Sequence, residues 1–225
     1  MISDLPFTPL PPASSDPDDL VCVVDDDESV RNCLERLLRS ARFPVECFAS
    51  GADYLSRKDH AGPVCLIIDM SMPGLDGFDL QRALTGRCEQ IIFLTGHGDV
   101  PMCARAMKAG AVDFLTKPVD DEILLTAVRT ALERGRALGR TNAEQAAARR
   151  MIASLTPREL DVMHRVADGM LNKQIAAELG ISEKTVKIHR GRMMRKTRSA
   201  SVPALMRLLG KSGASADSNH HHAEP

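Results

Sequence analysis

The sequence predicts two domains of different class, an α/β domain with a doubly wound parallel sheet of (βα)5 pattern and a smaller all-α domain of four helices. The chain has 225 residues, more than most single hydrophobic cores hold. Short apolar runs alternate with amphipathic stretches from residue 20 to 137, whereas only helical patterns follow residue 153. Charge divides the chain similarly. Residues 1–140 carry 15 basic and 22 acidic side chains, and residues 141–225 carry 14 and 8.

Composition limits the classes of function. Charged residues make up 26% and apolar residues 44%, as in folded globular proteins. Aromatic residues make up only 3%, too few for the stacking surfaces that bind single-stranded nucleic acids. Duplex DNA stays open as a partner for the basic half, and an ordinary solvated surface explains that charge equally well. No run of about 18 apolar residues occurs, and no basic residue precedes Arg31, so we expect no membrane segment, no signal peptide and a cytoplasmic location.

The α/β domain is predicted over residues 20–137, after a disordered, proline-rich leader at 1–19. Its first and third strands are continuous apolar runs, which need cover on both faces and therefore favour a parallel sheet with right-handed crossovers. The five strand–helix pairs are predicted at 20–24 and 29–41, 45–48 and 50–57, 64–68 and 77–85, 91–94 and 99–109, and 111–115 and 119–137.

The all-α domain is predicted over residues 154–210. An Ala- and Arg-rich stretch without a turn signal precedes it and is expected to form a helical linker at 138–153. Thr156 followed by Pro157 and Glu159 has the pattern of a capping box with proline at the first helical position, so a helix begins there. The other helices are predicted at 172–179, from a cap at 182 to about 197, and at 201–209, before a disordered tail at 211–225.

Polar residues follow four of the predicted strands. They are an acidic run at 25–28, Asp69, Thr95 and Lys117. Because the carboxyl ends of parallel strands meet at one edge of the sheet, these residues are expected in one crevice. Taken separately, each has an ordinary explanation as a helix cap, a strand-end hydroxyl or a surface charge. Taken together, they supply oxygen ligands for a cation, a carboxylate nucleophile, a hydroxyl group and an ammonium group.

Four segments of the first domain resemble the receiver domain of bacterial two-component response regulators. These segments are Val-Val-Asp-Asp-Asp at 23–27, Ile-Asp-Met-Ser-Met-Pro-Gly-Leu-Asp-Gly at 68–77, Leu-Thr-Gly-His-Gly-Asp-Val at 94–100 and Gly-Ala-Val-Asp-Phe-Leu-Thr-Lys-Pro at 110–118. The resemblance implies that Asp69 accepts a phosphoryl group from a histidine kinase. It also implies a Mg2+ site made of Asp25, Asp26, Asp69 and the backbone carbonyl of Ser71, since Mg2+ prefers such oxygen ligands.

The same resemblance assigns a switch to three further residues. Lys117 and Thr95 would respond to the charge of the phosphoryl group, and Phe114 would be the aromatic side chain coupled to Thr95. Phe114 could instead be an ordinary core residue. The bond between Lys117 and Pro118 resembles a cis peptide of the family.

The second domain resembles the LuxR-type helix-turn-helix, through Leu-Thr-Pro-Arg-Glu-Leu at 155–160, Gly-Met-Leu-Asn-Lys-Gln-Ile-Ala at 169–176, Leu-Gly-Ile-Ser at 179–182 and Lys-Thr-Val-Lys-Ile-His-Arg at 184–190. Seven basic residues against one acid lie between Ser182 and Arg198, which suits a helix in the major groove. By resemblance, the DNA contacts are Lys187, Ile188 and Gly191 toward the bases, Thr185, His189 and Arg190 in mixed contacts, Asn172 and Lys173 at phosphates, and Lys184. Gly191 is an exception among these residues, because glycine favours helices poorly and has no side chain with which to contact a base.

Together the two resemblances indicate a response regulator of the FixJ/NarL kind. It would be phosphorylated on Asp69, form a homodimer when phosphorylated and bind double-stranded promoter DNA, with RNA polymerase as a further candidate partner and no membrane partner. Two alternatives stay open. One is a Mg2+-dependent phosphotransfer enzyme with an aspartyl-phosphate intermediate, which is disfavoured because Met70 and Ser71, rather than a second acid, follow Asp69. The other is a DNA-binding regulator that acts without phosphorylation.

Overall fold

A computed structural model describes residue 16 and residues 18–96 and 98–213 of the chain. It divides into two compact units, with the boundary between Gly139 and Arg140. Most of the predicted leader and the tail from residue 214 onward lie outside the described residues, so their predicted disorder stays a prediction. Across the described part of the chain, no helix combines the length and the apolar character needed to cross a membrane.

The first unit is a five-stranded parallel sheet flanked by helices, which confirms the predicted (βα)5 class. Its strand order is β2-β1-β3-β4-β5. The elements in chain order are β1 (Leu20–Val24), α1 (Glu28–Ser40), β2 (Val45–Phe48), α2 (Gly51–Ser56), β3 (Val64–Asp69), α3 (Gly77–Ala83), β4 (Gln90–Thr95), α4 (Val100–Lys108), β5 (Asp113–Thr116) and α5 (Asp121–Ala153).

Alternate residues of the central strands pack against opposite layers of helices. On one face, side chains such as Cys22 and Leu66 meet α2, α3 and α4, and on the other, Val23 and Cys65 meet α1 and α5. All residues of β1 and β3 are buried, which explains why β1 and the part of β3 before Asp69 are unbroken apolar runs. Burial raises the pKa of the Cys22 thiol to about 12, so this cysteine behaves as a buried apolar residue.

Asp19, the last residue of the predicted leader, belongs to the folded first unit. The Asp19 side chain is buried and accepts a hydrogen bond of 3.2 Å from Nε of Arg136 on α5. A buried carboxylate needs such a partner to offset the loss of water. The leader prediction is therefore wrong at Asp19, because proline and aspartate content alone does not reveal an ion pair with a residue more than 100 positions away.

The second unit packs four helices and the end of α5. The four are α6 (Pro157–Ala167), α7 (Asn172–Leu179), α8 (Glu183–Lys196) and α9 (Val202–Ser212). Their core includes Val162, Ile175, Val186, Met193 and Leu205. The four helices agree with the predicted all-α class of this domain.

The start of α6 agrees with the prediction, whereas the end of α9 extends beyond it. The predicted capping box is present, since Thr156 N–H donates to Glu159 Oε2 at 2.9 Å and Glu159 N–H donates to Thr156 Oγ1 at 3.3 Å. Helix α9 continues to Ser212, past the predicted end of the domain at 210. Its last turn is held by Arg149 of α5, whose Nε donates to the carbonyl of Ser212 at 3.1 Å. The stretch predicted as a linker thus contributes packing to the second unit.

Candidate functional site

Two aspartates lie side by side where β1 and β3 end. The parallel register pairs Val24 with Ile68, so the next residues, Asp25 and Asp69, emerge together at the carboxyl edge of the sheet. Asp25 is only 2% exposed and Asp69 7%, whereas Asp26 is exposed. The structure thus brings together two of the three predicted carboxylates in a sheltered crevice and leaves the third at its rim.

Lys117 connects the two buried carboxylates. Its Nζ donates to Asp25 Oδ2 at 2.7 Å and to Asp69 Oδ1 at 2.5 Å, and its peptide bond to Pro118 is cis. Burial of the ammonium group acts to lower the pKa of Lys117, but the hydrogen bonds to the two carboxylates outweigh it, and the pKa is raised. One cation therefore relieves the repulsion between two neighbouring acids.

Backbone groups hold the remaining carboxylate oxygens. The Ser71 N–H donates to Asp69 Oδ2 at 2.8 Å, and the Asp27 N–H donates to Asp25 Oδ1 at 2.9 Å. Arg31, on the first turn of α1, donates from Nη1 to the backbone carbonyl of Asp25 at 2.8 Å. Sequence reasoning missed Arg31, and the only signal was a basic residue one turn into the helix that follows the acidic run.

Asp27 of the acidic run has the ordinary explanation. It is the N-cap of α1, and its side chain accepts a hydrogen bond from the Ser29 N–H at 2.8 Å. Hydrogen bonds from the backbone N–H groups of Ser29 and Val30 lower the pKa of Asp27. The run thus divides between a helix cap and the crevice.

Thr95 and Phe114 are neighbours on either side of a glycine. Thr95 ends β4 and is buried, and its backbone carbonyl accepts a hydrogen bond of 2.7 Å from the Lys117 N–H. Phe114, on β5, is half-buried, with its ring centroid 6.4 Å from that of Phe93. A Cβ atom at Gly98 would lie 2.9 Å from Phe114 Cε1 and 3.1 Å from Thr95 Cγ2. Sequence reasoning did not single out Gly98.

The predicted metal ligands do not form a ready-made cage. Among the described residues, no group of three His, Cys, Asp or Glu side chains is arranged to hold a metal ion. Asp25 and Asp69 are instead engaged by Lys117, and Asp26 is exposed. The donor chemistry still fits Mg2+, which is commonly bound by one or two carboxylates together with waters and phosphate oxygens rather than by an all-protein cage.

The second candidate site is the exposed face of α8. Lys184, Lys187, Ile188 and Gly191 have helical spacing and are all exposed, with Ile188 at 46%. Val186 lies on the opposite, buried face of the helix. Ser182 caps α8 by accepting a hydrogen bond from the Thr185 N–H at 3.1 Å. One apolar and two basic side chains thus surround a position without a side chain.

Helix α7 supplies two of the predicted contacts. Asn172, its first residue, accepts a hydrogen bond of 3.0 Å from Arg190 Nη1 on α8. Lys173 is exposed, whereas His189 of α8 is half-buried. The bond between Asn172 and Arg190 joins the first turn of α7 to the middle of α8, so these two predicted contacts are mutually dependent.

Lys196 is a basic residue of α8 that serves the fold. Its Nζ donates to Glu159 Oε2 at 2.6 Å and to the carbonyl of Ser154 at 3.1 Å. Glu159 is 2% exposed, and the hydrogen bonds from Lys196 and from the Thr156 N–H lower its pKa to about 2. Counting seven basic residues on this helix and its end therefore overestimated the charge available to a partner.

Comparison with known protein families identifies both units. The pattern described as the response regulator receiver domain matches residues 21–129. The pattern described as bacterial regulatory proteins of the luxR family matches residues 153–209.

Individual proteins are similar to the chain across both units. Nodulation protein W of Bradyrhizobium diazoefficiens is 45% identical over 200 residues, which cover 88% of each chain. Response regulator protein TodT of Pseudomonas putida is 44% identical over 197 residues, which cover 86% of each chain. The solved structure of the response regulator StyR is similar with a TM-score of 0.78 and 43% identity, over 86% of this chain and 98% of that one.

Proposed function

The chain belongs to the transcriptional response regulators that join a receiver domain to a LuxR-type DNA-binding domain, and on that premise we propose that Asp69 accepts a phosphoryl group from a histidine kinase. The observation that carries this proposal is the shared contact of Lys117 with Asp69 and Asp25 in a sheltered crevice. One oxygen of Asp69 attacks the phosphorus of a phosphohistidine. The P–N bond breaks as the O–P bond forms, and the imidazole leaves with the electron pair.

Lys117 is suited to compensate the new charge. A phosphoryl group adds about 1.5 to 2 negative charges and three acceptor oxygens. The Lys117 ammonium already contacts Asp69 Oδ1, so it reaches the added oxygens with a small movement. The Ser71 N–H, which donates to the other oxygen of Asp69, keeps the carboxylate oriented.

In this proposal Asp25, Asp26, Asp69 and the backbone carbonyl of Ser71 hold Mg2+. A bound Mg2+ supplies charge stabilisation to the oxygens of the transferred group. The Asp27 N–H holds one oxygen of the Asp25 carboxylate and Arg31 holds the Asp25 backbone carbonyl, which supports this role because both keep Asp25 at the crevice. Met70 and Ser71, rather than a second acid, follow Asp69 in the chain, which supports a protein that accepts and slowly loses the group rather than a turnover enzyme.

The switch would pass from the crevice through Thr95 to Phe114 and the surface of α4. Thr95 lies at the end of the strand next to Asp69, and Phe114 is its neighbour across Gly98. On α4, the exposed apolar residues Val100 and Met107 are seven positions apart and share one face. This surface supports the proposal that phosphorylation promotes a homodimer.

DNA recognition is proposed for the exposed face of α8. Lys187, Ile188 and Gly191 would face the base edges of the major groove, and Lys184 and Lys173 would contact phosphates. Thr185, His189 and Arg190 would make mixed contacts, and Asn172, which is hydrogen-bonded to Arg190, would contact phosphates together with Lys173. Promoter DNA is thus the proposed ligand, and RNA polymerase is a proposed further partner.

Asp69→Asn tests the first step. After treatment with acetyl phosphate and Mg2+, we expect the wild-type chain to gain one phosphoryl mass and the variant to gain none, measured by intact-protein mass spectrometry. The control is Asp99→Asn, because Asp99 caps α4 and asparagine caps equally well. Full labelling of the Asp69 variant would refute the assignment. Equal DNA affinity with and without phosphodonor would instead favour a regulator that acts without phosphorylation.

A further inference from the structure

Gly98 occupies a narrow gap between the two proposed switch residues. A Cβ atom there would lie 2.9 Å from Phe114 Cε1, 3.1 Å from Thr95 Cγ2 and 3.4 Å from Thr116 Cγ2. Carbon atoms that are not bonded to each other prefer separations of about 3.5 to 4.0 Å, so the first two contacts are too close. An added methyl group would therefore have to displace a neighbour.

The neighbour that can move is the Phe114 ring. Thr95 is buried at the end of β4, whereas Phe114 is half-buried and packs on Phe93 from one side. A methyl group at 98 would thus act as a wedge that pushes the ring away from Thr95. The glycine leaves this space open.

The backbone does not require glycine at this position. Gly98 is not among the glycines of positive φ, so its conformation is open to other residues. Gly96, in the same loop, has ordinary φ as well, and a Cβ atom there would have nothing within 4 Å. Replacing either glycine by alanine therefore reduces the flexibility of the loop similarly, but only at Gly98 would the new methyl group clash with a neighbouring side chain.

We propose that Gly98 is a positioning residue of the phosphorylation switch, which keeps the space that lets Thr95 and Phe114 approach each other when Asp69 is phosphorylated. This inference rests on the proposed function of Asp69. It assigns to the loop after β4 a steric requirement that a single methyl group would violate.

The test compares Gly98→Ala with Gly96→Ala in the full chain. Phosphoryl uptake from acetyl phosphate and Mg2+ is measured by mass spectrometry. DNA affinity, with and without phosphodonor, is measured on a duplex selected from random sequence by the phosphorylated wild-type chain. We expect all three chains to take up the phosphoryl group at similar rates. Coupling between two sites in a protein typically changes affinity by about 5- to 150-fold. Gly98→Ala should lose most of the increase in DNA affinity that phosphorylation gives the wild-type chain, whereas Gly96→Ala should keep that increase.

The outcomes separate this inference from the proposed function. If the wild-type chain takes up no phosphoryl group or shows no gain in DNA affinity, the proposed function fails. If the wild-type chain responds and Gly98→Ala responds equally, the wedge is refuted. A loss of response in both glycine variants also overturns it, because loop flexibility would then be the cause.

A second variant covers the case in which Gly98→Ala destabilises the chain. Phe114→Leu removes the ring carbon that the new methyl group would meet. In the wild-type background the loss of ring packing should lower the melting temperature. In the Gly98→Ala background this loss should be smaller or reversed, because the clash with the ring is removed as well. Equal effects of Phe114→Leu in both backgrounds would contradict a contact between residues 98 and 114.

Discussion

Gly191 is a glycine in the interior of an exposed helix, and its replacement by alanine should stabilise the second unit. It lies in the middle of α8, on the face opposite the buried Val186. A Cβ atom at this position would have nothing within 4 Å. The substitution therefore changes helix propensity without creating a clash.

The expected gain follows from the cost of glycine in a helix. Glycine is less favourable than alanine by about 0.8 to 1.0 kcal/mol in a helix interior. For a unit of this size, about 1 kcal/mol shifts the melting temperature by roughly 4 to 8 °C. Because Gly191 is also at the centre of the proposed base-facing surface, the methyl group should alter affinity for selected DNA as well.

Calorimetry of the full chain measures the first effect, as an upward shift of one unfolding transition. Gly210→Ala is the matched control, since Gly210 is an exposed glycine in α9 whose added Cβ also has nothing within 4 Å. This control should stabilise the unit, to a smaller extent because it lies in the last turn, and should leave DNA affinity unchanged. A fall in melting temperature for Gly191→Ala would refute the open, regular helix on which the reasoning depends.

Two further predictions concern Glu159 and the charge of α8. Because the folded-state pKa of Glu159 is lowered from 4.5 to about 2, its stabilising effect is present above pH 4.5 and is lost as the pH falls toward 2. Glu159→Gln should therefore lower the unfolding free energy at neutral pH and flatten the dependence of that free energy on pH between 4.5 and 2. An unchanged profile of unfolding free energy against pH would contradict the ion pair with Lys196. Lys173→Ala should reduce the slope of log affinity against log salt by about 1, whereas Lys196→Ala, which removes an internally paired charge, should leave the slope unchanged, so equal slopes for both variants would refute the distinction.

Local pattern predicted most of the architecture. The predicted bounds of β1, β2 and α7 agree with the structure residue for residue. The clearest signals are the continuous apolar run of β1 and the left-handed glycine that ends α7 at Gly180. The crevice was predictable for a topological reason, since parallel strands deliver their carboxyl ends to one edge.

The remaining features depend on partners distant in the chain. Whether the Lys196 ammonium faces solvent or a buried carboxylate is decided by where α6 begins relative to the end of α8, which a charge count does not contain. The same applies to Asp19 and its partner on α5. Gly98 could not be singled out because its significance lies in the side chains beside it, whereas sequence pattern registers only that a glycine occurs in a loop.

The bond between Arg149 and Ser212 has a practical consequence for how the second unit can be handled. It joins the last turn of α9 to the helix that precedes α6, and the ion pair between Lys211 and Glu144 lies beside it. The first and last helical segments of the unit are therefore adjacent. A fusion or label attached just after Gly213 would therefore lie next to α5. A fragment that begins at residue 154 would lack Arg149 and Glu144 and would leave the end of α9 without these partners.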